Sequence, residues 1–381
     1  MRNEFPHEDG LIYLNHAGVA PWPRRAHAAV AAFARENITR GAADYARWGE
    51  VEQRLRERLA RLVTAPTTDD IALVKNTSEG LSLVAYGLNW QPGDNVVIND
   101  QEFPSNRMVW ESLAQRFGIE VRDVALDGAE TPEDALLQAM DGRTRVLPVS
   151  TVQYGSGLRM NLERLGRACR DNDTLFCVDA IQSLGALALD ATQISADFVV
   201  ADGHKWMLGP EGLGLFYSTA QARDRLCLLQ FGWHMATRLG DYDTTDWSAA
   251  ASARRFEAGS PNMLGIHGLD ASLAVLEETG AARVEQAVLN NARHLIARIQ
   301  MEPTLSLITP AEPHRHAGIV TFRANGVDAH ALSRQLRNRG VICAHRLGGI
   351  RLSAHYYNTV TSLDRAVDIV LTIRHDLARE K

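Results

Sequence analysis

Two residues of this chain have the type and placement for amine chemistry. Lys205 stands in Asp202-Gly203-His204-Lys205-Trp206, directly after the apolar run 197–201 and before a glycine-rich turn between Gly209 and Gly214. Asp179 closes a second apolar run, 175–178. Short apolar runs bounded by polar residues read as buried strands, and open α/β sheets bind ligands at the carboxyl ends of their strands. An amine able to form a Schiff base, together with a carboxylate that keeps a ring nitrogen protonated, is what pyridoxal phosphate requires of a protein. Taken singly, a lysine after a strand is more often a solvated loop residue, and an aspartate there more often a cap. A third stretch, Lys75-Asn76-Thr77-Ser78-Glu79-Gly80, lies between a strand-like run (71–74) and a helical one (81–88). It offers the hydroxyls of Thr77 and Ser78 and free N–H groups at a helix N-terminus, where a phosphate binds.

The elements that must position these residues are visible as alternating patterns. Strands are expected at 71–74, 95–98, 120–124, 145–150, 175–178, 198–201 and 213–217. Between them lie helical stretches, among them 131–140, with Thr131 as cap and Pro132 in its first turn, and 162–171, capped by Asn161. This alternation predicts an α/β fold with a doubly wound, mostly parallel sheet covered on both faces. Ahead of it, residues 1–22 read as an irregular arm, followed by helices over 24–38 and 50–63 with a link that exposes Tyr45, Arg47 and Trp48. Beyond 217 an irregular segment carries Gly232-Trp233-His234 and the polar run 241–246. A long helical pattern over 266–299 then leads to a small α+β region with strands near 305–309, 318–322, 341–344 and 350–353, a helix over 329–339 and a closing helix over 363–377. The expected division is an arm (1–22), a large cofactor-binding domain (23–265), and a bridging helix with a small domain (266–381).

Composition bounds the function. With 381 residues and 45% hydrophobic content the chain can bury a large core, and 40 basic against 46 acidic residues leave a net charge of −6 without long runs of either sign. That balance argues against nucleic-acid or membrane-surface partners. No apolar stretch reaches the ~20 residues of a membrane span. The first residues, from Met1 to Pro6, lack a signal-peptide core, so a cytoplasmic location is expected. Cys169, Cys177, Cys227 and Cys343 are scattered without metal-like spacing, so neither a metal site nor a disulfide framework is expected.

Five motifs in this order, from Tyr13-Leu14-Asn15-His16-Ala17-Gly18 to Ser353-Ala354-His355-Tyr356-Tyr357-Asn358, make the chain resemble a fold-type-I pyridoxal-phosphate enzyme of the class V aminotransferase and cysteine desulfurase family. The likeness runs nearly end to end and implies the transferase-like α/β fold, a homodimer with shared active sites and an amino-acid substrate. It implies that Lys205 carries the cofactor and Asp179 its ring nitrogen, with Thr77, Ser78 and His204 at the phosphate. It also implies that Phe103 stacks on the ring where desulfurases carry histidine, with ordinary core packing the alternative, and that Gln182 is the candidate to meet the phenolic oxygen. An asparagine common in the next loop is replaced by Tyr154. Asp202, where relatives have serine, is expected to turn away from the phosphate toward a backbone N–H. Ser260, in Arg255-Phe256-Glu257-Ala258-Gly259-Ser260-Pro261-Asn262, is implied to reach the partner's phosphate. Arg351 matches the substrate arginine, whose fork suits an α-carboxylate. His16 is a possible substrate contact, with capping or packing the alternative.

The chain departs from the desulfurase pattern in one respect. Those enzymes place a reactive cysteine on a loop shortly before the substrate arginine; here the span is compressed to His345-Arg346-Leu347-Gly348-Gly349 and holds none. Cys343 lies in an apolar strand pattern and reads as packing. The compressed span resembles the branch of carbon–sulfur lyases, epimerase-like proteins and class V aminotransferases. The expected function is therefore β-elimination from an α-amino acid through an external aldimine, without a persulfide cysteine. Transamination comes second. Epimerisation, which needs a second acid such as Tyr154, His16 or His345, comes third. A ligand sensor built on the same fold is the non-enzymatic alternative.

Overall fold

The computed structural model describes residues 4–127, 129–243 and 245–379. Met1 to Asn3 of the arm, Thr244 of the polar run and Glu380–Lys381 at the chain's end lie outside the described residues. All seven expected strands form one sheet in the order Ile71–Val74, Gly214–Ser218, Phe198–Asp202, Leu175–Asp179, Thr144–Ser150, Asn95–Asn99, Glu120–Val124. Gly214–Ser218 runs against both its neighbours, and the other six strands share one direction. The two-residue side-chain period sorts each central strand onto two faces. Phe176 and Val178 join Leu55, Leu59, Leu136 and Leu165 on one side, while Leu175 and Cys177 join Leu81, Val84, Trp110 and Leu113 on the other. Helices thus cover both faces, which is why the central strands are continuous apolar runs rather than alternating ones.

The helix starts follow local rules. Thr131 and Asn161 accept from the N–H groups of Asp134 and Arg164, capping Pro132–Ala139 and Leu162–Asp171 as expected. Asn76 caps Thr77–Gly87 through the Glu79 N–H, and the Glu79 carboxylate reaches back to the Lys75 N–H.

The small region is a four-stranded antiparallel sheet, Ala344–Arg346, Gly349–Ser353, Ile319–Ala324 and Leu305–Leu307 in that order. Val320, Phe322, Ile350 and Leu352 pack there with Leu295, Leu336, Leu363 and Val367 from three helices. The long helical pattern is two helices, Met263–Thr279 and Ala281–Gln300. They are separated at Gly280, whose φ of +89° an L side chain rarely adopts.

Two expectations need correction. Tyr45 and Trp48 are not in an exposed link but in the first turn of the helix Tyr45–Leu62. Trp48 is buried edge-on to Phe33 with ring centroids 5.0 Å apart, and its indole N–H donates to Glu36. Tertiary burial of the aromatic decides the helix's start. The arm, too, is not irregular throughout. Ile12–Tyr13 pairs in parallel with Val341–Ile342, and Asn15 bridges to Ser353, so the arm joins the small, C-terminal region.

That junction is sealed by neutral histidines. The Tyr356 N–H donates to His355 Nδ1 (2.8 Å), so Nε2 carries the hydrogen and meets the Trp206 carbonyl at 3.0 Å. Burial pushes His355 down to about 4, and lowers His16 well below the usual imidazole range, with His355 adding to the effect. In the unfolded chain both imidazoles take up a proton near pH 6.5. Their contribution to stability is therefore complete above that pH and is lost as pH falls toward the folded values. For His355 the loss between pH 6.5 and 5 is expected to be about 1.5 kcal/mol, and His16 adds a loss of the same sign. Denaturant titrations should show His355→Gln losing less stability over that interval than the wild type. Parallel profiles would refute the neutral assignment.

Candidate active site

Five of the six co-directional strands deliver a candidate residue at the carboxyl edge of the large sheet. Ile71–Val74 leads to Thr77 and Ser78, Asn95–Asn99 to Phe103, Thr144–Ser150 to Tyr154, Leu175–Asp179 to Asp179 itself, and Phe198–Asp202 to Lys205. Asp179 and Lys205 come from neighbouring strands. Gly185 lets the chain pass tightly behind Lys205: at φ +98°, an added Cβ would lie 2.4 Å from the Trp206 carbonyl oxygen.

Lys205 is buried, and burial lowers its affinity for a proton, with Asp179 opposing the shift. Asp179 is buried as well. Desolvation raises it, the Ile181 N–H on its Oδ1 (3.0 Å) opposes that, and the Glu102 charge adds to it. The two groups feel each other's charge without forming an ion pair within 4 Å. The Lys205 Nζ lies 5.5 Å from the centroid of the Phe103 ring, and Phe103 stands edge-on to Tyr154 at 5.0 Å. A flat ring, an amine and a buried carboxylate thus face one space.

At the other end, Ser78 Oγ donates to Ser105 Oγ (2.9 Å), joining the first turns of two helices, Thr77–Gly87 and Ser105–Phe117. Thr77 Oγ1 accepts from the Asp202 N–H at 3.1 Å. His204 Nδ1 and Asp202 Oδ1 lie 3.0 Å apart, but not at hydrogen-bonding angles, and both atoms are left without a partner. Asp202 therefore turns toward His204, not toward a backbone N–H as expected. Gln182 is buried with its amide engaged: Nε2 donates to the Ala17 carbonyl (3.2 Å) and Oε1 accepts from the Trp206 indole N–H (3.1 Å). An amide nitrogen has two hydrogens, and Ala17 takes one of them.

Arg351 is almost wholly buried. Its Nη1 donates to the Tyr154 carbonyl (2.7 Å), Nη2 meets Asn15 Oδ1 at 3.4 Å, and Nε has no partner. Burial, with the neighbouring Arg346 charge, pushes it down to about 9. His16 does not face this space. Its exposure is 0%, with Nδ1 2.8 Å from the Ser353 carbonyl and Nε2 2.6 Å from the Tyr357 hydroxyl. Of the two readings of His16, the structure takes packing. Ser260 is exposed and lines a separate cleft with Lys75, Glu79 and Asn262.

One buried residue was not singled out from the sequence. Glu102, directly before Phe103, accepts from Asn99 (2.8 Å), Asn106 (3.0 Å), Gln153 (3.1 Å), the Ser150 N–H (2.8 Å) and the Ser150 hydroxyl. It ties the 99–106 stretch to the 150–153 stretch and so holds Phe103 against Tyr154. Its neighbours Asn99 and Asn106 alone read as ordinary turn polarity, and the partners that give it its role, Ser150 and Gln153, come from a distant turn. A Glu52–His234–Glu257 group also has metal-like proximity. The Arg56 guanidinium bonds both carboxylates (2.8 and 2.6 Å), which makes the group an ion-pair network.

These residues fit pyridoxal phosphate. Asp179 is a buried carboxylate lacking the cation that a protonated ring nitrogen supplies, and Thr77, whose Oγ1 is held by the Asp202 N–H, and Ser78 open a helix whose N-terminus favours an anion. Comparison with known proteins agrees. The family model "Aminotransferase class-V" matches residues 12–366. A probable cysteine desulfurase of Methanothermobacter thermautotrophicus is 30% identical over 383 aligned residues, 94% of each chain. The cystine C–S lyase C-DES, in complex with its product cysteine persulfide, superposes with a TM-score of 0.88 at 24% identity, covering 96% of this chain and 99% of that one. A C-DES mutant with glycine covalently linked to its pyridoxal-phosphate cofactor gives 0.89 at 23% identity, covering 97% and 99%. Pyridoxal phosphate is the cofactor of this chain, and the doubly wound fold is that of these enzymes.

The geometry of Arg351 generates a test. Replacing it by lysine keeps a charge but removes the planar fork. Losing a charge-assisted bond costs roughly 1.5–3 kcal/mol. Arg351→Lys should therefore lower kcat/KM for an amino acid about ten- to hundredfold, with the visible spectrum of the resting holoenzyme unchanged. Unchanged kinetics would mean that the carboxylate is held elsewhere.

Proposed function

The chain belongs to the class V aminotransferase family of pyridoxal-phosphate enzymes, and within it we propose a carbon–sulfur lyase that eliminates the β-substituent of an α-amino acid without a protein persulfide. The observation that carries this reading is the state of the four cysteines. Cys343, nearest to Arg351 in sequence, is buried, and burial pushes its thiol up to about 11. Cys169 and Cys177 lie in the packed core, where desolvation disfavours their thiolates. Cys227 is exposed, but its N–H binds the Gly87 carbonyl, at the far end of the helix that begins at Thr77. Eleven helical residues put that end about 16 Å from the phosphate-binding turn. A thiol acts as a nucleophile as thiolate, and none of these is an accessible thiolate at the site.

Bound at Lys205, pyridoxal phosphate supplies an electron sink next to Cα. The chain's own residues do the rest. Arg351 holds the α-carboxylate and thereby sets the Cα–H direction. Burial favours the neutral amine of Lys205, which serves as base for the Cα proton. The Asp179 carboxylate holds the proton on the ring nitrogen. The Phe103 ring, centred 5.5 Å from the Lys205 amine, would lie against the cofactor ring and cannot exchange protons, so no second acid acts from that position. His16 is committed to packing, which leaves epimerisation less supported than elimination. Gln182 keeps one amide hydrogen for the phenolic oxygen, and Thr77, Ser78 and His204 form the phosphate end. Tyr154 borders the substrate through its contacts with Phe103 and Arg351.

Product analysis with L-cysteine and L-cystine decides among the reactions. Pyruvate and ammonia support the lyase; L-alanine with sulfur on the protein supports a desulfurase; a keto acid formed in step with loss of the visible cofactor band supports an aminotransferase. Cys343→Ala should keep more than about half of wild-type turnover, as expected of a residue that only packs. A variant that folds, holds cofactor and is inactive would restore the persulfide route.

We further propose a homodimer with shared sites, because Ser260 is exposed, away from Lys205, on a loop whose Glu257 is pinned by Arg56 and the Leu73 N–H. Sedimentation at micromolar concentration should give about twice the 42.0 kDa chain mass. An active monomer would refute the shared site.

A further inference from the structure

We propose that Arg346 is a second anion-recognising residue of this active site, so that its substrates are α-amino acids whose side chain ends in a negatively charged group, such as a carboxylate, sulfinate or second amino-acid carboxylate. The inference rests on the reading of Arg351 as the α-carboxylate receptor and narrows the substrate class within it.

The placement follows from strand register. Ala344–Arg346 and Gly349–Ser353 form an antiparallel hairpin in which Ala344 stands opposite Arg351 and Arg346 opposite Gly349. Residues two apart on a strand share a face, and directly opposed residues share it too. Arg346 and Arg351 therefore project from the same face of the small sheet, on a diagonal that a long side chain spans. Gly349, opposite Arg346, adds no side chain to obstruct it. On the other side of Gly349–Ser353, Thr321 stands opposite Arg351 and donates to the Gly155 carbonyl (2.7 Å), so this face looks onto the 154–155 turn that borders the site. The tip of the hairpin closes on the same turn: Leu347, at φ +51°, packs against Gly155.

Charge accounting then singles Arg346 out. Among the described residues its polar contact is Nη1 donating to the His345 carbonyl (2.7 Å), and no carboxylate lies within 4 Å of it. Its charge is felt at both Lys205 and Arg351, where it disfavours protonation. Arg323, from the adjacent strand, is instead spent on the Leu347 carbonyl (3.2 Å) and steadies the hairpin tip. Two guanidinium groups on one face, one buried and one half-exposed, with no acid between them, repel each other unless a ligand supplies anions. A substrate with one carboxylate satisfies Arg351 alone. A second anionic terminus, extending from Cβ toward the exposed side, satisfies both.

The test compares ligands of equal size and different charge. Holoenzyme is titrated with L-aspartate and with L-asparagine, following the change in its visible absorbance to obtain each Kd. The wild type should bind L-aspartate about ten- to hundredfold more tightly, the range of one charge-assisted hydrogen bond. Arg346→Gln should abolish that preference while leaving the Kd for L-asparagine within about twofold. Arg346→Lys should retain part of the preference, because it keeps the charge without the fork. An Arg346→Gln variant that weakens both ligands equally, or neither, overturns the inference. A wild type that binds L-asparagine as well as L-aspartate overturns it while leaving the proposed function standing. A holoenzyme whose spectrum responds to no amino acid overturns both.

Discussion

The site depends on holding several turns at one sheet edge to within a bond length, and a single buried carboxylate supplies much of that constraint. Glu102 gathers donors from the strand end at Asn99, the helix turn at Asn106, and Ser150 and Gln153 at the end of the next strand. A carboxylate taken out of water is tolerated when its lone pairs are filled, and five donors fill them here. The result is a rigid frame under Phe103 and Tyr154, so the aromatic face opposite the Lys205 amine is set before any ligand arrives. Such prepositioning counts in catalysis because misplacement by about 1 Å costs on the order of a hundredfold in rate.

The second constraint joins the two sheets. The arm enters the small sheet's neighbourhood at Ile12–Tyr13, then presents Asn15 to Arg351 and His16 to Ser353. His355 closes the same junction onto the Trp206 carbonyl, one residue from Lys205. Arg351 and Lys205 thus stand on different sheets but share a wall of buried, neutral histidines and Trp206. Any relative movement of the sheets moves Arg351 against Lys205. The interface is built from directional bonds, which resist such sliding better than apolar contact does.

Much of this was legible in the sequence, for a stated reason. Six of the seven strands of the large sheet are largely buried, so they appear as apolar runs, and polar residues at their ends mark the carboxyl edge; only the edge strand Glu120–Val124 is not. That is why Asp179, Lys205 and the Thr77 turn could be placed, and why Tyr154 and Phe103 fell beside them. Residues whose role depends on long-range partners were not legible. Glu102 looks like an ordinary turn acid until Ser150 and Gln153 are brought to it. The arm looks irregular because Ile12–Tyr13 is a two-residue strand whose partner lies more than three hundred residues away. Trp48 looked exposed because the apolar stripe of its helix begins only at Val51. Asp202 was misplaced for a similar reason: the contact it makes is with a side chain two residues on, not with the backbone.

A comparison of two arginines within this chain shows how a binding site differs from a structural ion pair. Arg56 and Arg351 are both buried to a few per cent of their surface. For Arg56 burial alone would weaken proton binding, but Glu257 and Glu52 more than offset it, and the net shift is upward. Its charge is spent inside the protein, fixing the loop that carries Ser260. Arg351 has only a carbonyl and an amide oxygen as partners, with Arg346 close enough to repel it, and its net shift is downward. Burying a cation without an anion costs several kcal/mol, and the fold retains that cost at this position while avoiding it at Arg56. Packing does not require it, since Tyr154 and Asn15 would accommodate a neutral donor equally well. The unspent charge makes sense as one held for a ligand. The same reasoning applies to Asp179, a buried acid left without a cation, and it gives the cleft a polarity: a carboxylate at one end, guanidinium groups at the other, and Lys205 between them.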